Sequence, residues 1–247
     1  MSTNAKIYTN MKNKMIYIAA SLLLLTLGFS SCEKKSEGLT SITYYAELEL
    51  LGSDVVGVNI NGTYVEPGYK ATMNGKDVTS QVKVSDNINT AKKGVYSVVY
   101  SVVNADGFAS TASRTVIVAD LSDPIEGAWV INPASCRIYN AGAPTSYKGA
   151  FTITIFKNDA GGYAVSDLMG GWYDQGAGYG PDYAMVGNIN VAADGTITLV
   201  DSSVKGWGDA ADDLKNGKFD AAANQISYQL FYATVIEFDV VLDKIAF

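Results

Sequence analysis

The stretch VIEFDVVL, Val235 to Leu242, decides the fold class of this 247-residue chain. Ile236, Phe238, Val240 and Leu242 alternate with Glu237 and Asp239. A period of two places the apolar side chains on one face of an extended strand and the carboxylates on the other. The pattern recurs upstream. FTITIF alternates Phe151, Ile153 and Ile155 with Thr152 and Thr154. VYSVVYSVV puts Tyr96, Val98, Tyr100 and Val102 on one face, and TYYAELELL does the same with Tyr44, Ala46, Leu48 and Leu50. Turn dipeptides separate such runs: Asn61-Gly62, Asn74-Gly75, Asp106-Gly107, Asp194-Gly195 and Asn216-Gly217. Long helical periods are absent, and only Ala210 to Lys215 offers a helical turn. The chain is expected to be all-β.

The segment LSDPIEG, residues 121–127, breaks the chain into two domains. A Pro after Asp among polar residues reads as a short, fairly stiff linker. Residues 41–120 form the first domain and residues 128–247 the second. The first carries Tyr64, Glu66, Pro67 and Gly68, then Asp77, Val78 and Thr79, then Gly94 and Tyr96, then Asp106 and Gly107 before a closing strand. In this it resembles the bacterial immunoglobulin-like domains of surface proteins. That resemblance implies a β-sandwich spacer or interaction module rather than chemistry. The segment MNGK stands where many members carry more acids, which weakens a metal reading.

The second domain contains GAWVINP, then GGWYDQGAGYGPDYAMVGNI, then VKGWGDAADDLKNGKFDAAANQISYQLFY. It resembles the C-terminal half of Bacteroidetes lipoproteins of unknown function that accompany starch-utilisation-type glycan-uptake systems. In these a strand matching Gly217 to Ala222 precedes the last hairpin. Strand number and alternation suggest an antiparallel meander, closed or nearly closed, of lipocalin-like kind. A barrel of about eight strands either holds one small ligand or fills itself with side chains.

The N-terminus reads as a targeting segment. Lys6, Lys12 and Lys14 precede the uncharged apolar run Met15 to Phe29, and small residues follow. The run is short of the roughly 20 residues of a spanning helix, and the arrangement is that of a secretory signal, residues 1–31. LGFSSC resembles a bacterial lipobox, with Phe29 in the usual aliphatic position. That resemblance implies a lipid anchor on Cys32 and a polar tether over residues 32–40. The alternative is an ordinary signal with Cys32 as a plain thiol. MKNKMIYIAA is the more typical signal start, which favours Met11 as initiator. The expected location is the outer membrane, held by the lipid anchor and facing the cell surface, with the periplasmic face as the alternative.

The formal net charge is −7; cleavage before Cys32 removes three Lys and leaves −10. Such an acidic chain does not suit nucleic acid, whose phosphates demand a basic patch, or anionic headgroups. Membrane contact should come from the anchor alone. Cys136 is then without a disulfide partner and reads as a small buried side chain. The absence of His removes His-based nucleophile systems, His-ligated zinc and His general-base catalysis. GAGYGP, Gly176 to Pro181, lacks the ending and the following helix of a phosphate loop. Carboxylates remain: Asp167, Asp174, Asp182, Asp194, Asp201, Asp209, Asp212, Asp213 and Asp220. They read mainly as turn and surface residues. A glycosidase pair, or calcium at GDAADD (Gly208 to Asp213), stands as an alternative. No cofactor and no metal site is expected.

Trp172, Tyr173, Tyr179, Tyr183 and Trp207 lie in glycine-bounded segments that break the strand alternation, with Asp174 among them. Aromatic faces stack on sugar rings, and glycine lets backbone approach a ligand. These six are the expected ligand residues, with polysaccharide the preferred ligand. The competing reading folds the tryptophans inward as a barrel plug. The leading expectation is a non-enzymatic, lipid-anchored glycan-binding or accessory component of an uptake complex. A structural or adhesive module meeting a protein partner is the alternative, and a carboxylate hydrolase comes last.

Overall fold

The structure, a computed structural model, describes residues 42–247. The signal over residues 1–31, the Cys32 attachment site and the tether over residues 32–40 lie outside the described residues.

The first domain is an immunoglobulin-like sandwich. Strands β1 (Ala46–Leu50), β3 (Tyr69–Met73) and β4 (Lys76–Asp77) form one sheet. Strands β2 (Val55–Asn59), β7 (Ala109–Ala119), β6 (Gly94–Val103) and β5 (Lys83–Asp86) form the other, in that order. Strand β2 runs parallel to β7; the other pairings are antiparallel. Val58, Val98, Tyr100, Val116 and Val118 are buried between the sheets, so the inward face of β6 follows the period-two reading. Asn74 and Gly75 take positive φ, 48° and 70°, which lets a two-residue turn join β3 to β4. Arg114 is buried and satisfied: it donates to the carbonyls of Ser53, Leu51 and Gly68 and to the Tyr100 hydroxyl, and it pairs with Glu66.

The second domain is a closed antiparallel barrel. Its strands are β8 (Gly127–Ile131), β9 (Cys136–Tyr139), β10 (Thr145–Ser146), β11 (Thr152–Lys157), β12 (Tyr163–Val165), β13 (Met185–Val191), β14 (Thr196–Val204), β15 (Ala211–Asp220), β16 (Gln225–Tyr232) and β17 (Ile236–Lys244). Each strand from β11 to β17 pairs with its sequence neighbour, and β8 pairs with both β11 and β17, closing eight strands into a ring. Strand β9 continues the line of β8 along β17, pairing through Ile236 to Asp239, and β10 adds a short flap to β9.

The barrel fills itself. Trp129, Ile153, Ile155, Met185, Ile189, Ile226, Leu230, Phe238, Val240 and Leu242 are among the buried side chains of its core. The region expected to offer a helical turn, Ala210 to Lys215, is instead largely the start of β15. Asn216-Gly217 is not a hairpin turn. It sits inside β15, where the register against β16 slips between Lys215 and Lys218 and Asn216 takes φ 52°. Two residues of a bulged strand opposite one of its partner define a β-bulge.

The two domains meet directly. In the 121–127 segment, Ile125, Glu126 and Gly127 are buried. The Glu126 carboxylate joins Lys93 of the first domain to the backbone N–H groups of Asp120 and Lys157. Ile117, Ala119 and Ala128 share a small apolar cluster with Val55, Phe156 and Ile245.

Candidate functional site

The connection from β12 to β13, residues 166–184, crosses one end of the barrel. Its first part is anchored from below. Leu168 and Met169 are fully buried, and their carbonyls accept hydrogen bonds from the hydroxyls of Tyr228 (2.9 Å) and Tyr147 (2.8 Å). Asp167, 1% exposed, accepts from the N–H groups of Met169, Gly171 and Met185 at 2.8, 3.0 and 3.0 Å. One buried carboxylate thus ties together both ends of the connection. Burial raises its pKa to about 7, opposed by those three N–H donors and helped by the charge of Asp174.

Gly170 and Gly171, with φ 62° and 82°, turn the chain outward. A wide turn over Trp172–Gly176 follows, closed by N–H groups of Gly176 and Ala177 donating to the carbonyls of Gly171 and Trp172, five residues back. The pattern is that of a single, isolated π-type turn. A 3₁₀ turn, Pro181–Tyr183, leads into β13.

These turns gather the expected aromatics. Tyr173 meets Trp207 edge to face with centroids 4.8 Å apart, and Tyr183 meets Trp207 at 5.0 Å. Tyr179 meets Tyr183 at 5.5 Å and Tyr173 at 6.0 Å. Trp207, on the β14–β15 turn, also stacks on Tyr232 at 6.1 Å. The Tyr232 hydroxyl donates to Asp209 at 2.7 Å, which braces that turn. Tyr179 is 57% and Trp207 40% exposed. Trp172 behaves differently: it is half-buried and packs edge-on against Tyr147 (4.9 Å) and Phe238 (6.2 Å). The two tryptophans thus part company, Trp172 packing into the barrel end and Trp207 lying at its surface.

Asp174 is not with the rings. It lines a groove of about 530 Å³ between the domains, with Val55, Thr115, Gln175 and Pro181. A smaller hollow of about 230 Å³ lies beside Trp172, bordered by Phe151, Thr145, Ser146 and Lys148. Sequence reasoning passed over Tyr139, Arg137 and Tyr232. Arg137 and Tyr139 belong to a four-residue strand too short to show a period, and Tyr232 looked like an ordinary strand residue.

The remaining carboxylates serve local structure. Asp182 pairs with Lys205 at 2.8 Å, Asp212 accepts from the Thr234 N–H, Asp213 faces Lys215, and Asp220 accepts from Ala222 and Ala223. Among the described residues no group of three His, Cys, Asp or Glu is placed to hold a metal ion. Cys136 is half-buried rather than buried, and burial beside Asp239 pushes its thiol pKa up. A thiol so shifted is a poor nucleophile.

An immunoglobulin-like sandwich fused to a self-filled barrel defines a two-domain, all-β module. The family model for the bacterial surface protein Ig-like domain matches residues 48–118, and a model described as a C-terminal domain matches residues 119–244. The crystal structure of the lipoprotein BT2262 from Bacteroides thetaiotaomicron is similar at 37% identity and TM-score 0.66, covering 81% of this chain and 100% of that one. The chain belongs to the family of that lipoprotein and is a surface-associated protein. Two Clostridium perfringens ZmpB structures also match. One holds the M60 catalytic domain with CBM51-1 and CBM51-2 (19% identity, TM-score 0.27, 51% of this chain and 15% of that one). The other holds CBM51-2 in complex with GlcNAc, and INT domains (21%, 0.26, 49% and 28%). Scores that low carry no argument. No curated protein matches.

Proposed function

We propose that this protein is a non-enzymatic surface lipoprotein that binds glycan on the aromatic end of its barrel, as a component of a polysaccharide-uptake system. Cys32 carries the outer-membrane anchor in this reading. The observation that carries it is the exposure of Tyr179 and Trp207 on turns that are otherwise hydrogen-bonded and braced. Large aromatics left in water at a rigid rim suit stacking on a sugar ring, and the pre-formed rim saves ordering entropy on binding. Membership of a lipoprotein family supports the anchor.

The test is calorimetric titration of the protein against plant, host and microbial polysaccharides, beside Trp207→Ala and Tyr179→Ala. Binding that weakens about tenfold or more in Trp207→Ala, the loss of roughly 1.4 kcal/mol, is the expected result. Silence across the panel would move the function to a protein partner. The exposed Val95, Val99 and Val103 on one face of β6 favour that second reading.

A further inference from the structure

Arg137 stands on β9 opposite Phe238 of β17 and Thr145 of β10. Residues opposite one another share a face of the sheet, and Phe238 is fully buried in the barrel core. Arg137 therefore faces inward, at the end covered by the aromatic turns. Its guanidinium carbon lies 5.3 Å from the ring centroid of Tyr139, 5.6 Å from Trp172 and 5.8 Å from Tyr173. Among the described residues no carboxylate lies within ion-pair distance of it, and its buried Nε has no hydrogen-bond partner. The nearest acids in sequence register, Glu237 and Asp239, lie opposite Ile138 and Cys136 and so on the other face. Asp209 at the same end is engaged by Tyr232.

Ring faces offset part of a cation's charge but offer no lone pair to an N–H. A buried donor without a partner is a net cost to the fold that a ligand acceptor would relieve. Arg114 in the first domain shows the opposite arrangement, every branch of its guanidinium bonded. Lys148 adds a second cation at the hollow on the flank of Trp172. A protein of net charge −7 thus presents, among aromatic rings, a guanidinium with no carboxylate partner among the described residues. The planar fork of Arg matches a carboxylate in two parallel hydrogen bonds.

We propose that the glycan taken at the barrel end is acidic, with a sugar carboxylate seated on Arg137 and a sugar ring against the Tyr179 and Trp207 shelf. This rests on the glycan-binding reading above. The experiment titrates the protein with polygalacturonate, alginate and hyaluronan, each beside its carboxyl-reduced neutral form, at two salt concentrations. At least one acidic polymer should bind ten times or more tightly than its reduced form, less so at high salt. Arg137→Gln should bring the two to equal affinity, and Arg137→Lys should restore part of the difference. An unchanged acid-to-neutral ratio in Arg137→Gln, with its melting temperature intact, would overturn the proposal. Equal binding of acidic and reduced polymers that Trp207→Ala abolishes would overturn it while leaving glycan binding standing. Failure of every polymer to bind would overturn both.

Discussion

Asp167 is the residue on which the placement of the aromatic turns depends. Its two oxygens serve three backbone N–H groups from both ends of the connection. In Asp167→Asn the oxygen can still accept, but the amide NH₂ must face an N–H donor on the other side. One donor is then buried unpaired, at a cost of about 1–3 kcal/mol. Denaturant titration should register that loss. The pH dependence has a definite sign. The folded carboxyl holds its proton up to about 7, whereas the unfolded one releases it near 3.8. Between those values the folded state binds more protons, so this group's contribution to stability falls as pH rises and is level above pH 7. The slope is at most about 1.4 kcal/mol per pH unit. Asp167→Asn should lack this segment of the stability profile, and an unchanged profile would show that Asp167 titrates elsewhere.

At the scale of the element, the β12–β13 connection takes its shape from glycines with distinct jobs. Gly171 has φ 82°, and an added Cβ would lie 2.6 Å from Cβ of Phe151. Gly178 has φ 71° with nothing within 4 Å. Left-handed backbone costs an L-residue about 1–2 kcal/mol. Gly178→Ala should lower stability by about that much, and Gly171→Ala by more, because Phe151 must also move. Thermal melting of the pair checks the order; equal losses would mean Phe151 yields freely. The same element marks where sequence stops being legible. Strands with clean alternation, β6, β11 and β17, are readable residue by residue, since Val98, Tyr100, Val102, Ile153, Ile155, Phe238 and Val240 are all buried. Strand β15 is not. Its buried Leu214 and Phe219 stand an odd number of positions apart, and only the bulge at Asn216 and Gly217 returns both to one face. Without that bulge in view, acids and alanines from Ala210 onward mimic a helical turn. The aromatic loop was legible as composition, but the direction of Asp174 away from the rings and the lone guanidinium of Arg137 are products of packing. Neither leaves a trace in residue spacing.

For the whole molecule the decisive feature is the junction. A tether-like link between a spacer and a binding domain would leave residues 121–127 solvated, yet Glu126 is fully buried. It spans the boundary, taking Lys93 from the immunoglobulin-like domain and backbone donors at Asp120 and Lys157. Asp123 reinforces it through Tyr163 and Lys157, and the Lys244 ammonium donates to the carbonyls of Asp123 and Pro124. Phe247 lies against Gly57 of β2, where an added Cβ would clash with the ring. Polar bonds and apolar contacts thus cross the same boundary, so the domains should unfold as one cooperative unit. Glu126→Ala strips the buried acceptor from two backbone N–H groups and from Lys93. Breaking a buried pair costs about 3–5 kcal/mol, and the one-third exposure of the Lys93 side chain places the loss at the lower end. Calorimetry should show one unfolding transition for the parent protein. In Glu126→Ala that transition should split in two, since the loss falls on the coupling between domains rather than on either core. A single transition merely shifted to lower temperature would mean the small cluster of Ile117, Ala119 and Ala128 couples the domains without help from the carboxylate.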